Sequence, residues 1–158
     1  MTNTSDSSTP AIEAAAALGL DHEVTPIPRV RSLEEAAAAL DIEPRQVTKT
    51  IVVRLGEGDY RFVLVPGDRQ IAWPKLRTLL GVNRCTMPSA DEALEVTGYA
   101  RGTITPLGST TAWPVIADER VTGRVNVGAG AHGLGLMVDG EALVAALGAT
   151  VADVTDPA

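Results

Sequence analysis

The chain has 158 residues, 45% of them hydrophobic, and a net charge of −7, a composition typical of one globular domain. No apolar run approaches the ~18 residues that a membrane-spanning helix requires, and the single cysteine, Cys85, excludes an intrachain disulfide. Residues 1–9 lack the apolar stretch of a secretory signal. We therefore expect a disordered tail over 1–9, one domain over 10–155, no membrane partner and a cytoplasmic location.

Five segments carry the start and stop signals of helices. Thr9 precedes Pro10 as an N-cap, and Ser32 and Ser89 each stand three residues before a glutamate, which is the capping-box pattern. In the second segment, apolar residues recur at i, i+3, i+4 and i+7, as on the buried face of a helix. The predicted helices cover residues 10–19, 32–40, 73–81, 89–98 and 139–148.

The segments between these helices predict strands. The β-branched run at 51–53 is typical of a buried strand, and the turn residues at 56–59 predict a hairpin. Hairpins beside longer crossovers indicate a mixed α/β fold, with a mixed sheet or partly closed barrel and helices packed outside. The predicted extended segments cover residues 21–28, 47–54, 60–66, 112–118, 123–128, 133–139 and 149–154.

Lys49 stands at the head of the apolar strand, where an unpaired ammonium group would be costly to bury. It is either an edge lysine that reaches solvent or a cation placed to meet a negative group. Residues 45–84 hold eight basic and three acidic residues, a net charge of +5, whereas the rest of the chain carries −12. This distribution suits a compact anion or the end of a nucleic acid better than a long duplex. The alternative is that these charges only cover exposed faces.

Two glycine-rich loops, at 98–109 and 128–133, are able to present backbone N–H groups to a ligand. Gly128, Gly130 and Gly133 have the spacing of a dinucleotide motif, but a strand-like segment follows them instead of a helix, which argues against that motif. Two histidines and one cysteine at distant positions supply neither a Ser-His-Asp arrangement nor a set of metal ligands. We expect no metal and no cofactor.

Four blocks, in one order and spacing, carry a resemblance to a known family. They are VTKTIVV (47–53), VPGDRQI (65–71), TGYARGTITPLG (97–108) and VGAGAHGLGL (127–136). Together they resemble the YbaK/prolyl-tRNA synthetase-associated editing domain family over about residues 10–155. The resemblance implies a mixed α/β domain on a distorted barrel-like sheet. It also implies hydrolysis of mischarged aminoacyl-tRNA, usually tRNA for proline.

By position, the resemblance assigns the catalytic role to Lys49. A fixed cation in a partly dry cleft can pair with the terminal phosphate or polarise the ester. Family members are thought to use the tRNA's own terminal hydroxyl and a positioned water, which the protein orients. The implied partners are the acceptor end of an aminoacyl-tRNA and a prolyl-tRNA synthetase. The substrate-binding residues assigned in this way are Thr50, Gly102, Pro106, Leu107, Gly108, Gly128, Ala129, Gly130, His132 and Gly133.

Several positions depart from the cysteinyl-type members of the family. Ile27 stands where those members carry a tyrosine, His132 where they carry an arginine, and Gly135 where they carry an acidic residue. Residues 128–130 read Gly-Ala-Gly instead of Ser-Gly-Gly. These changes bear on which amino acid the site accepts.

The leading hypothesis is a free-standing, trans-acting editing hydrolase. Two alternatives stay open. One is a catalytically weak or inactive module that binds tRNA, a nucleotide or a synthetase, and the other is a regulatory protein that binds a partner. Cleavage of a mischarged tRNA separates the hydrolase from both.

Overall fold

The computed structural model describes residues 8–158, so residues 1–7 of the predicted tail lie outside the described range. Thr9, the last residue of that tail, is buried, and its Oγ1 accepts a hydrogen bond from the N–H of Ile12 at the start of the first helix.

The helices are α1 Pro10–Ala17, α2 Leu33–Ala39, α3 Trp73–Leu80, α4 Ala90–Thr97 and α5 Gly140–Leu147. The strands are β1 His22–Pro26, β2 Thr48–Gly56, β3 Asp59–Pro66, β4 Arg69–Ile71, β5 Val115–Asp118, β6 Arg124–Gly128, β7 Leu134–Asp139, β8 Thr150–Ala152 and β9 Thr155–Pro157.

The helices begin and end where their capping residues stand. Ser32, Ser89 and Asp139 each accept a hydrogen bond from the backbone N–H three residues later, at 2.9–3.1 Å, which satisfies a donor that the helix leaves free. Glycines in the left-handed region follow α3, α4 and α5. No helix between residues 8 and 158 combines the length and apolarity needed to cross a membrane.

The strands confirm a mixed α/β fold but do not close into a barrel within residues 8–158. One sheet has the order β1-β7-β6 and is antiparallel, and another has the order β2-β3-β5-β8, with an antiparallel hairpin followed by parallel pairs. A single parallel bridge, Val47 with Asn126, joins the two. The backbone of Ile104 packs against Gly128 beside β6, since a Cβ on Gly128 would lie 2.8 Å from the carbonyl oxygen of Ile104.

A third pair, β4 with β9, was not predicted from the sequence. It joins Arg69–Ile71 to Thr155–Pro157 in antiparallel register, and β9 runs two residues past the predicted domain limit of 155. This pair holds the C-terminus of the chain against the turn that follows β3.

The four-stranded sheet is buried on both faces, so the side chains of β2 pack into two different hydrophobic clusters, one on each face. Val52, Phe62 and Leu64 face one hydrophobic cluster together with residues of β6 and β7, whereas Val53 and Val63 face a second cluster with α3. Because side chains alternate along a strand, the even-numbered residues of β2 point toward β6. Thr48 and Thr50 therefore face the three-stranded sheet.

Candidate functional site

A cavity of about 670 Å³ lies between β2 and β6, beside the single bridge that joins the two larger sheets. This volume falls within the range of small-molecule sites, roughly 300–1,000 Å³. Four of the predicted site residues line it: Lys49, Thr50, Gly102 and Gly128. The structure thus brings the strand head together with one predicted site residue from each glycine-rich loop.

Lys49 lines the cavity, but its amine is held at the turn between β3 and β4. The Nζ donates a hydrogen bond to the carbonyl oxygen of Arg69 at 2.7 Å. Burial lowers the pKa of the Lys49 ammonium below that of an ordinary lysine, and the nearby Asp68 carboxylate opposes this shift. The group therefore loses its charge at a lower pH than a solvated lysine does.

Tyr99 fastens the two glycine-rich loops to each other. Its Oη donates to the carbonyl oxygen of Leu107 at 2.7 Å, and its ring lies against Gly130, where a Cβ would come within 2.6 Å of Cε1. Gly130 has a φ of +81°, and its N–H donates to the carbonyl of Thr103 at 3.1 Å. Burial raises the pKa of Tyr99 to about 12, so its hydroxyl stays a donor at neutral pH. The loops form one unit.

The Pro106-Leu107-Gly108 motif does not line the cavity. Leu107 is fully buried, and a Cβ on Gly108 would lie 2.4 Å from the carbonyl oxygen of Pro10, so this turn packs tightly against the start of α1. Ala129 is buried as well, and its carbonyl accepts a hydrogen bond from Thr9 Oγ1. These residues hold the two loops against the start of α1, on the side away from the cavity. A direct contact between them and a substrate stays a prediction.

His132 and Gly133 are exposed and lie outside the cavity wall. The imidazole of His132 sits beside the other loop, because its Cε1 is 3.6 Å from where a Cβ on Gly102 would be. The carbonyl of Gly133 accepts a hydrogen bond from the N–H of Ile27 at 2.8 Å. The glycine-rich loop thus ends against the segment that follows β1.

Two of the departures from the cysteinyl-type pattern meet at one corner of the cavity. A Cβ on Gly135 would lie 2.6 Å from Oδ1 of Asn126 and 2.8 Å from Cδ1 of Ile27. The side chains of Ile27 and Asn126 therefore occupy the space that a larger residue at 135 would need. Ile27 and Gly135 are one coupled change in shape rather than two separate ones.

Sequence reasoning assigned only four residues of the cavity wall to the site, and Thr48, Arg101 and Asn126 are among the polar or charged wall residues that it missed. Arg101 stands inside the 97–108 block, directly before Gly102, so the sequence did contain a signal that could have assigned it to the site. Thr48 lies two residues before Thr50, and the two-residue period of a strand puts both on one face. Asn126 carried no local signal, because its position depends on the pairing of β6 with β7.

Four of the eight basic residues in the segment 45–84 form ion pairs with carboxylates at the protein surface. Arg54 lies 3.1 Å from a carboxylate oxygen of Glu92 and Arg45 lies 2.8 Å from one of Glu43. Arg61 pairs with Asp59, and Lys75 pairs with Asp153 and Asp156. Half of the basic residues of this segment are therefore already paired with carboxylates of the protein, which reduces the positive charge that is available to a ligand.

Comparisons with known proteins agree with this architecture. The model of the aminoacyl-tRNA editing domain family matches residues 27–146, and the chain belongs to that family. A proline–tRNA ligase of Bacillus licheniformis is 32% identical over 105 residues, which are 66% of this chain and 18% of the ligase. One from Thermosipho africanus is 35% identical over 91 residues, 58% of this chain and 16% of the ligase. The chain therefore spans less than a fifth of these relatives.

Two solved structures match nearly the whole chain. A candidate trans-editing enzyme for prolyl-tRNA synthetase superimposes with a TM-score of 0.85 at 26% identity and covers 99% of both chains. A crystal structure of a hypothetical protein has the same TM-score at 28% identity and covers 94% of this chain and 100% of that one. The YbaK-like fold expected from the four sequence blocks is confirmed.

Proposed function

We propose that this chain is a trans-acting editing hydrolase that removes the amino acid from mischarged tRNA, with tRNA for proline as its substrate. The observation that carries the proposal is the cavity between β2 and β6, whose wall combines Lys49 and Thr50 with Gly102 and Gly128. Membership of the editing family and the match to a candidate trans-editing enzyme support the reaction class. The ligases that share the domain support the choice of tRNA. Such a reaction belongs in the cytoplasm, where translation occurs.

In this proposal Lys49 binds the terminal phosphate or the ester region of the substrate. An ammonium group has three N–H donors, so the bond to the Arg69 carbonyl leaves two donors of Lys49 for an anion. Arg101 adds a second cation to the wall. Positive charge in a partly dry cleft stabilises the negative charge that develops on the ester oxygen.

The attacking water is activated by the substrate itself. No carboxylate, imidazole or thiol belongs to the cavity wall formed by the described residues. The terminal ribose hydroxyl beside the ester is the nearest group able to orient a water or take up a proton. The protein then contributes position and exclusion of bulk water, which are large terms for a reactive ester.

The test is deacylation of a panel of mischarged tRNAs by the purified chain, with Lys49→Ala beside it. We expect the variant to lower kcat/KM about 10²-fold, as for removal of one preorganised charge-stabilising group. Lys75→Ala is the matched control, because Lys75 pairs with Asp153 and Asp156 away from the cavity. It should retain wild-type rates.

Equal rates for Lys49→Ala and the wild type would remove Lys49 from the mechanism. Salt-sensitive tRNA binding without ester cleavage by any preparation would instead favour the binding module. Co-purification with prolyl-tRNA synthetase, with rates that rise in its presence, is expected if the synthetase is a working partner.

A further inference from the structure

We propose that Arg69 is a positioning residue for Lys49. Its side chain clamps the turn after β3 to the C-terminal strand β9, and its backbone carbonyl thereby holds the Lys49 amine at the cavity wall. The value of a fixed amine rests on the proposed function. The clamp itself rests on contacts that connect Lys49 through Arg69 and Thr155 to Asp118.

The position of the Lys49 amine depends on one anchor. Lys49 is exposed, and within residues 8–158 the carbonyl oxygen of Arg69 is the one hydrogen-bond partner of its Nζ, at 2.7 Å. A lysine side chain has several rotatable bonds, so holding it in one conformation is entropically costly. The amine therefore stays at the cavity wall only as long as the Arg69 carbonyl stays in place.

The Arg69 carbonyl is held by the side chain of the same residue. The guanidinium donates from Nε to Thr155 Oγ1 at 2.7 Å and from Nη2 to the Thr155 carbonyl at 3.1 Å. Both donors belong to one planar group, so the two bonds fix its orientation as well as its place. The backbone of Arg69 also pairs with Pro157, which ties this residue to β9 a second time.

Thr155 is in turn anchored in the core. It is fully buried, and its Oγ1 donates to Asp118 Oδ1 at 3.0 Å. The N–H of Val154 donates to the same oxygen at 3.1 Å, and the Val154 carbonyl accepts from the N–H of Ala72 at 2.8 Å. The exposed Lys49 amine is thus connected through two residues to a buried carboxylate.

The other side of the turn rests on the segment that leads into β2. A Cβ on Gly67 would lie 2.6 Å from the carbonyl oxygen of Val47 and 2.9 Å from Cδ1 of Leu33, so the turn packs closely there. The family match ends at residue 146, and Thr155 lies beyond it. A segment outside the matched residues therefore supports the wall of the candidate site.

Nuclear magnetic resonance of the two lysines gives a test that needs no substrate. The chain contains only Lys49 and Lys75, so labelling with carbon-13 lysine gives two ε-carbon signals, which Lys75→Ala assigns. Burial lowers the pKa of Lys49 against a smaller opposing effect of Asp68 on the same turn, whereas hydrogen bonds to Asp153 and Asp156 raise the pKa of Lys75. Breaking the clamp returns the Lys49 amine to solvent, so its titration midpoint should rise.

Arg69→Met and Thr155→Val each break the clamp, and we expect both to raise the Lys49 midpoint toward that of a solvated lysine. Thr155→Val keeps the guanidinium, so a rise shared by both variants does not come from loss of positive charge. Arg61→Met is the matched control, because it removes a partly buried guanidinium at the opposite end of β3, and it should leave the midpoint unchanged.

Three results of the titration would overturn the proposal. One is an unchanged Lys49 midpoint in both clamp variants, and another is a rise in Arg69→Met alone or an equal rise in Arg61→Met. The third is a parallel change in the Lys75 midpoint, which would mean that the variants detach β9 as a whole instead of releasing Lys49.

Deacylation rates separate this inference from the proposed function. We expect Arg69→Met to lower kcat/KM about tenfold, less than Lys49→Ala does, because a misplaced group keeps part of its effect. In the Lys49→Ala background the same substitution should have no further effect, since it acts through the missing amine. Equal losses in both backgrounds would overturn the positioning role. If the wild type cleaves no mischarged tRNA, the proposed function fails, and the lysine midpoints still decide whether the clamp holds Lys49.

Discussion

Thr48 and Thr155 are both buried threonines, yet their hydroxyls have opposite surroundings. Thr155 Oγ1 donates to Asp118 Oδ1 at 3.0 Å and accepts from Arg69 Nε at 2.7 Å. Thr48 Oγ1 meets no partner within the described part of the chain. A buried polar group contributes stability when it is paired and reduces it when it is not. The paired hydroxyl of Thr155 therefore stabilises the cluster around Asp118, whereas the unpaired hydroxyl of Thr48 lowers stability at the cavity wall.

The largest effect is expected from Asp118→Ala, at the centre of the paired cluster. The Asp118 carboxylate is fully buried and accepts hydrogen bonds from Val154 N and Thr155 Oγ1, as well as from Arg120. Its removal leaves several buried donors without an acceptor, so we expect the free energy of unfolding to fall by about 3 kcal/mol or more. Urea denaturation measures this value.

Asp59→Ala is the matched control for that experiment. Asp59 is half exposed, and among residues 8–158 its one ion pair is with Arg61, so its loss should lower the free energy of unfolding by less than about 1 kcal/mol. Equal losses for the two variants would show that the buried cluster contributes no more than a surface ion pair, and the contrast between the two regions would lose its basis.

Thr155→Val tests the same cluster with a smaller change. The methyl group fills the space of the hydroxyl but neither donates to Asp118 nor accepts from Arg69. We expect the free energy of unfolding to fall by about 2 kcal/mol, because hydrogen bonds to charged groups are stronger than neutral ones. A lower urea midpoint with an unchanged denaturant slope is the expected signature.

Thr48→Val makes the identical chemical change at the cavity and is expected to act in the opposite direction. It removes a buried hydroxyl without a partner and adds a methyl group beside Val52 and Val127, so stability should rise by about 1 kcal/mol. A drop in stability like that of Thr155→Val would mean that Thr48 is a structural residue.

Local signals were sufficient to predict most of the fold. The helices that follow Ser32, Ser89 and Asp139 begin with hydrogen bonds within three residues, because each of these side chains accepts the backbone N–H three positions later. The β2–β3 hairpin likewise follows from two β-rich runs and the turn between them. The β4–β9 pair was missed because its strands are short and polar, and its register pairs residues more than eighty positions apart in the chain.

The candidate site was predicted less completely, for a related reason. Lys49 and Gly102 stand in sequence blocks that could be matched by order and spacing, and both line the cavity. Leu107 stands in such a block too, but its tertiary contacts make it a core residue bound to Tyr99. Thr48 has no motif of its own. Thr48 stands out only because it is buried and its hydroxyl has no hydrogen-bond partner among the described residues. Both features depend on how the β1-β7-β6 sheet meets the β2-β3-β5-β8 sheet.

The smallest effect is expected at the exposed edge of the paired cluster, where Asp153 contacts Arg120 at 2.9 Å and Lys75 at 3.0 Å. Hydrogen bonds from Arg120 and then Lys75 hold the pKa of Asp153 at about 2, below its ordinary value of 3.8. Because the pKa is lower in the folded state, this carboxylate stabilises the fold above about pH 4 and loses that contribution as the pH falls toward 2.

Asp153→Asn isolates this contribution. The difference in unfolding midpoint between wild type and variant should be constant at neutral pH, shrink from about pH 4 downward and nearly vanish at pH 2. It should also shrink in 1 M salt, since the pair is exposed and screened. If the difference in midpoint persisted unchanged at pH 2, the effect of Asp153→Asn would come from lost packing rather than from lost charge. The exposed edge of the cluster would then not differ from its buried centre in the way proposed.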